Sequence, residues 1–153
     1  MARVKVEPRL AAFLDMIAWS EGTYGKGDDG YNVLFGGSTF DGYYDHPRKI
    51  ITVGKLHSSA AGRYQLLERY YDIYSKRMRL INGFTPENQD LIAIQQIREE
   101  LALRPIRNGD IPLAIRLCSN IWASLPGSPY GQHTHDMNKL VDVWVKFGGK
   151  VRS

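Results

Sequence analysis

Seven of the fifteen glycines fall between residues 25 and 54, while apolar residues on either side of that span recur with helical spacing. A chain built this way is not helical throughout, because each glycine in a helix interior costs about 1 kcal/mol relative to alanine. The seven glycines punctuate short runs rich in β-branched and aromatic residues, YNVLF at 31–35 and IITV at 50–53. This span reads as an irregular region carrying a small antiparallel hairpin or sheet, set within a mainly helical α+β fold.

The first helix is expected to begin at Pro8, since a proline loses nothing in the first turn, where its missing N–H would have no partner anyway. Leu10, Phe13, Leu14, Ile17 and Ala18 then mark one helical face. Met16 and Trp19 widen the stripe, which makes the helix largely buried, and Gly22 supplies a stop signal. Helical periodicity returns over 64–78 (YQLLERYYDIYSKRM). A further helix follows the Thr85–Pro86 cap, with Leu91, Ile92, Ile94, Ile97 and Leu101 on its apolar side. Another runs from the Asp110 cap to Trp122, and a last one over 136–147 ends at Gly148–Gly149. No internal repeat or linker interrupts the pattern, so residues 1–153 read as a single domain long enough to bury a core.

Lysine and arginine exceed aspartate and glutamate by 20 to 16, a net charge of +4. The excess favours anionic surfaces, but it is dispersed, with KRMR at 76–79 its only cluster, and that group reads as a solvated helix face. The distribution argues against nucleic acid as a partner. Cys118 is the only cysteine, which excludes an intrachain disulfide, and its apolar surroundings read as a small buried side chain. The N-terminal MARVKVEPRL lacks the apolar core of a secretory signal, and no stretch is long and apolar enough for a membrane span. The four histidines, at 46, 57, 133 and 135, have no spaced cysteine or carboxylate to complete a metal set and read as solvated loop residues. Neither a nucleophile elbow nor a phosphate loop occurs, and no metal or cofactor is implied.

Glu21 stands out. At about 100° per residue, the eleven steps from Leu10 bring it back to within about 20° of that residue's direction. It therefore extends the apolar stripe, and it does so in the last turn, where the helix dipole presents its negative end. Desolvation and that field both disfavour the ionised carboxylate, which raises its pKa and suits a proton donor near neutrality. An arginine partner across the core, or early fraying of the helix, would account for the position equally well. The irregular segments also mix aromatic rings with amides: Tyr31, Asn32, Tyr43, Tyr44, Tyr64, Gln65, Tyr130 and Gln132. A saccharide cleft uses such a mixture, although tyrosines fill cores and surfaces as well.

Four collinear blocks carry a more specific signal: FLDMIAWSEGT (13–23), DHPRK (45–49), AGRYQLL (61–67) and CSNIWASLPG (118–127) followed by YGQ (130–132). From about residue 9 to Arg152 the chain resembles the endolysin family of phage lambda. That resemblance implies a lysozyme-like fold, with a mainly helical lobe and a small β lobe flanking a saccharide cleft. It implies lytic transglycosylation of peptidoglycan, in which the β-1,4 bond between N-acetylmuramic acid and N-acetylglucosamine is cut to leave a 1,6-anhydromuramoyl end. The family's catalytic glutamate falls on Glu21. Asn32, Tyr64, Gln65, Tyr130 and Gln132 are expected to bind and orient sugar without transferring a proton. Relatives often carry Asp in the segment 31–37, so Asn32 in this chain leaves Glu21 to work without a second carboxylate there. The competing readings are a hydrolytic muramidase that uses an activated water, with Asp29, Asp41 or Asp45 as helpers, and a non-catalytic wall-binding module. By resemblance, the protein is made in the host cytoplasm as a monomer, without membrane insertion, and reaches the periplasmic wall once a holin has opened the inner membrane.

Overall fold

The computed structural model describes residues 1–151; Arg152 and Ser153, the end of the expected domain, lie outside the described residues. The elements follow in the order α1 (Pro8–Ser20), β1 (Ile51–Val53), β2 (Leu56–Ser58), α2 (Glu68–Arg77), α3 (Pro86–Glu99), α4 (Leu103–Arg107), α5 (Ile111–Cys118) and α6 (Met137–Lys146). The α+β character expected from the sequence holds: a helical body with one two-stranded antiparallel sheet.

Helix α1 starts at Pro8 and is buried along most of its length. Its end is sharply defined. The Gly22 N–H donates to the Trp19 carbonyl at 3.1 Å and the Thr23 N–H to the Ala18 carbonyl at 2.9 Å, the paired bonds of a Schellman motif. Gly22 takes φ +82°, a conformation that a side chain would oppose. Glu21 is thereby the C-cap residue, and its direction is set by the motif that closes the helix. Helices α4 and α6 pack on α1, and α5 packs on both of them, in the larger of two apolar clusters, which includes Phe13, Ile17, Ile106, Ile115, Trp122 and Trp144. The smaller cluster joins the glycine-rich region to α2 and α3 through Leu34, Phe40, Leu66, Tyr71, Phe84 and Ile92.

The hairpin forms, but with different partners from those the composition suggests. Strand β1 pairs with β2 in the register Ile51–Ser58, Thr52–His57 and Val53–Leu56. The two-residue loop begins with Gly54 at φ +59°, a positive angle of the kind tight hairpins need. The YNVLF run joins no strand; Val33 and Leu34 make only isolated bridges, to Thr39 and Ala61. Helix α2 likewise starts at Glu68 rather than near Tyr64, because Gln65 adopts φ +53° and Ala61 bridges to Leu66.

Both side-chain caps read from sequence are made. Thr85 accepts from the Asn88 N–H at 3.2 Å, and Asp110 from the Leu113 N–H at 3.3 Å. Three details depart from the helical pattern, the first being Leu91, expected on the apolar side of α3 but 36% exposed. Leu101, expected on the apolar side of α3, lies beyond its end at φ +60° and is 79% exposed, since the chain reverses there into α4. Helix α5 stops at Cys118, and Trp122 follows in a turn with its indole N–H donating to the Tyr64 carbonyl at 3.0 Å. Cys118 is fully buried, and burial pushes its thiol up to about 12.

A polar centre pins the glycine-rich loop behind α1. The Arg63 side chain is completely buried and donates to Asp15 at 2.8 Å, to the Asp29 carbonyl at 3.0 Å and to the Tyr64 hydroxyl at 3.1 Å. Asp90, also fully buried, accepts from the hydroxyls of Tyr31 (2.8 Å) and Tyr64 (2.6 Å) and from the backbone N–H groups of Arg3 (2.7 Å) and Val4 (2.9 Å). Among the described residues no buried side-chain polar atom lacks a partner.

Candidate active site

Because α1 ends in a Schellman turn, the Glu21 carboxyl emerges beside the segment that follows α5. The Ser124 hydroxyl donates to its Oε2 atom. The Ser20 hydroxyl oxygen lies 2.7 Å from that of Ser124, and with the Ser124 proton on the carboxylate, Ser20 is the donor of that second bond. Burial raises the Glu21 pKa from the usual 4.5 to about 7, and the Ser124 hydrogen bonds hold it from going higher. No lysine or arginine in the last turn of α1 offsets the burial. The result is a carboxylic acid with one oxygen held by Ser124, able to release its proton near neutrality.

Glu21 lines a cavity of about 520 Å³, well within the size range of small-ligand clefts. The walls come from the β lobe (Phe35, Gly36, Ser58), from α2 and α3 (Tyr70, Tyr74, Gln96), and from the chain after α5 (Asn120, Trp122, Tyr130). They thus draw on both apolar clusters, and the cavity lies where the helical body meets the glycine-rich lobe.

Of the five residues assigned to sugar binding, the structure brings Tyr64, Gln65, Tyr130 and Gln132 to this cavity together with Glu21. Asn32 is not there. Its Oδ1 accepts from the Asp28 N–H at 2.8 Å within the glycine-rich loop. An aspartate would supply the same acceptor oxygen, so this position calls for a local turn acceptor rather than a cavity group. Three of the four polar groups at the cavity have partners of their own. The Tyr64 hydroxyl belongs to the Asp90 centre, so only its ring serves as wall. The Gln65 amide donates to the carbonyls of Val33 (3.2 Å) and Gly62 (2.9 Å), and the Tyr130 hydroxyl donates to that of Asn120.

The suggested aspartate helpers do not line the cavity either. Asp29 is held by the chain's amino terminus and by Gly25, and Asp45 by Arg48 at 2.8 Å. Two of the histidines also depart from the solvated-loop reading. His46 is buried at 2% exposure against the Leu66 carbonyl (2.9 Å), and burial lowers its pKa. His135 reaches the Ser20 carbonyl at 3.0 Å and packs on Trp19, which ties the loop after Gly127 to the end of α1. No group of three or more His, Cys, Asp or Glu placed to hold a metal occurs among the described residues.

Sequence reasoning missed Ser20 and Ser124. Both stand inside the quoted family-like blocks, but nothing local marks a serine as the partner of an acid that is 103 positions away. Replacing Ser124 by Ala removes a hydrogen bond that favours the ionised carboxylate. The alkaline limb of the kcat/KM profile is then expected to move up by about one pH unit, and Ser124→Thr to restore it. In the unaltered protein that limb is expected near pH 7, with activity falling as the pH rises through it, because the donor loses its proton there.

Residues 11–151 match the family model described as Endolysin. The chain is 49% identical to the endolysin of Escherichia phage lambda, over 97% of each chain. It is 43% identical to the endolysin of Escherichia phage P2, over 97% of this chain and 98% of that one. Its fold matches that of bacteriophage lambda lysozyme complexed with a chitohexasaccharide at a TM-score of 0.93 and 49% identity, covering 97% of this chain and 99% of the other.

Proposed function

The chain belongs to the endolysin family, and from that premise we propose that it is a peptidoglycan lytic transglycosylase with Glu21 as its single acid–base residue. The substrate is the β-1,4 bond between N-acetylmuramic acid and N-acetylglucosamine. The observation that carries the reading is a half-buried carboxyl at the cavity, held protonated to about pH 7, with none of the suggested aspartates of the glycine-rich lobe beside it. That the matched lambda lysozyme structure is a complex with a chitohexasaccharide supports a glycan in the cavity.

Two-carboxylate glycosidases use one acid to protonate the leaving oxygen and a second group to activate water or attack the sugar. Here the substrate supplies the second function. Protonated Glu21 gives its proton to the glycosidic oxygen as the bond to the anomeric carbon breaks. The muramoyl 2-acetamido oxygen stabilises the positive charge that develops at that carbon, as in substrate-assisted glycosidases. Ionised Glu21 then takes the proton of the muramoyl 6-hydroxyl, whose oxygen closes onto the anomeric carbon. The products are the freed N-acetylglucosamine end and a 1,6-anhydromuramoyl end, with no water consumed. The Ser20–Ser124 pair suits this cycle, since its hydroxyls can rotate to donate to the carboxylate or to accept from the acid.

A hydrolytic muramidase is the second reading, favoured by one observation: Glu99 and Glu100 also line the cavity. Both have partners, however, Glu99 the Tyr74 hydroxyl and Glu100 the Asn120 amide. Mass spectrometry of digested walls separates the two. Anhydro ends are expected, one water lighter than reducing ends, and a digest containing only reducing ends would overturn the proposal. By the same family reading, the protein is made in the host cytoplasm and acts as a monomer on the periplasmic wall after a holin opens the membrane. Among the described residues no helix is long and apolar enough to cross a membrane.

A further inference from the structure

The cavity wall has an asymmetry that a neutral sugar does not require. Its charged residues are three carboxylates, Glu21, Glu99 and Glu100, and a single cation, Arg69. Of the arginines on or beside α2, Arg48 and Arg77 are already paired, and Arg79, just past its end, does not line the cavity. Arg48 meets Asp45 (2.8 Å), Glu68 (3.0 Å) and Asp72 (2.6 Å), and Arg77 lies 3.9 Å from Glu99. Arg69 makes no ion pair among the described residues. Its guanidinium instead rests 4.9 Å from the centre of the Tyr70 ring, with one N–H directed at the Tyr70 hydroxyl at 3.4 Å. Stacking of this kind orients the planar fork without neutralising it and leaves donors free for a second, planar partner.

We propose that Arg69 is a carboxylate-binding subsite of the cavity, taking the acidic group that distinguishes muramic acid from N-acetylglucosamine. This inference rests on the peptidoglycan reading above. Muramic acid carries a lactyl ether, which ends in a free carboxylate on stem-free strands and is amide-linked to a peptide bearing its own carboxylates on intact strands. Either carboxylate matches the guanidinium fork in a bidentate pair. Chitin fragments, which have the same backbone geometry but no carboxylate, offer Arg69 nothing. In a wall otherwise acidic, the one unpaired cation also sets which way round the alternating strand lies. The sugar bearing the carboxylate is held on the α2 side, and the neutral sugar falls elsewhere.

The test is binding, measured by titration calorimetry on the Glu21→Gln protein, whose turnover is slowed by about 10²–10⁴-fold. The probes are chitohexaose, stem-free glycan strands and strands with intact peptides. Adding Arg69→Gln is expected to weaken binding of the carboxylate-bearing strands by about tenfold and to leave chitohexaose unchanged, with Arg69→Lys recovering part of the loss. A loss already seen on stem-free strands assigns the lactyl carboxylate, and a loss confined to intact strands assigns the peptide. Equal weakening of all three probes, or of none, overturns the subsite while leaving the peptidoglycan reading standing. Failure of the Glu21→Gln parent to bind either strand type would instead overturn the peptidoglycan reading and the subsite with it.

Discussion

Glu21→Gln is expected to lower turnover of purified cell walls by about 10²–10⁴-fold, the usual contribution of a positioned acid–base group. The same change is expected to raise the stability of the protein at neutral pH. Glu21 has a folded pKa near 7 against an ordinary value of 4.5. The folded state therefore binds this proton more tightly than the unfolded state does. The resulting stability is fully present below about pH 4.5 and is lost as pH rises toward 7. Above pH 7 the folded protein bears the whole cost of a desolvated carboxylate, up to about 3 kcal/mol. Gln keeps an acceptor for the Ser124 hydroxyl and has no charge to desolvate. Denaturant unfolding at pH 5 and pH 8 checks this: the variant's advantage should be larger at pH 8. A variant that lyses walls at a near-normal rate would remove Glu21 from the mechanism. A variant less stable than the parent at pH 8 would show that the carboxylate is not the strained group described above.

The second large effect is structural. Arg63→Met keeps much of the side-chain volume but leaves Asp15 without its guanidinium and removes the donor to the Asp29 carbonyl and the Tyr64 hydroxyl. Deleting one partner of a buried ion pair typically costs about 3–5 kcal/mol, and Asp15 would keep only the Ala2 N–H at 3.0 Å and the more distant amino terminus at 3.8 Å. For a chain of this length that corresponds to a fall in Tm on the order of 10 °C. Calorimetric melting is the check. The centre holds Asp15 of α1, the loop that follows Glu21, and Asp90 of α3 together, so activity should fall with stability and recover on cooling. A loss below about 1 kcal/mol would place the centre among contacts of little consequence.

Much of the helical framework was legible because helix signals are local. Pro8, Thr85 and Asp110 each mark a start through groups within three residues, and Gly22 marks a stop through its permitted φ. The direction of Glu21 was legible for the same reason, since periodicity carries a residue's face along one helix. Strand pairing was less so. YNVLF has the composition of a strand, yet the hairpin formed from 51–58, where a two-residue loop with Gly54 at its first position closes the shorter turn. Asn32 was misplaced because its amide suits a sugar as well as a turn, and only the folded loop shows which partner it took.

The sequence by itself determined the order of helices, the acid at the end of α1 and, through four collinear blocks, the family. Each of these rests on residues near one another in the chain or on ordered similarity along it. The tertiary structure alone decided what surrounds the acid. Ser124 reaches Glu21 across 103 positions, His135 reaches Ser20 across 115, and Asp90 meets Arg3 across 87. Desolvation is a property of such meetings. A glutamate is raised to about pH 7 only when distant segments close over it, and an arginine is left free only when every nearby carboxylate has been taken by another residue.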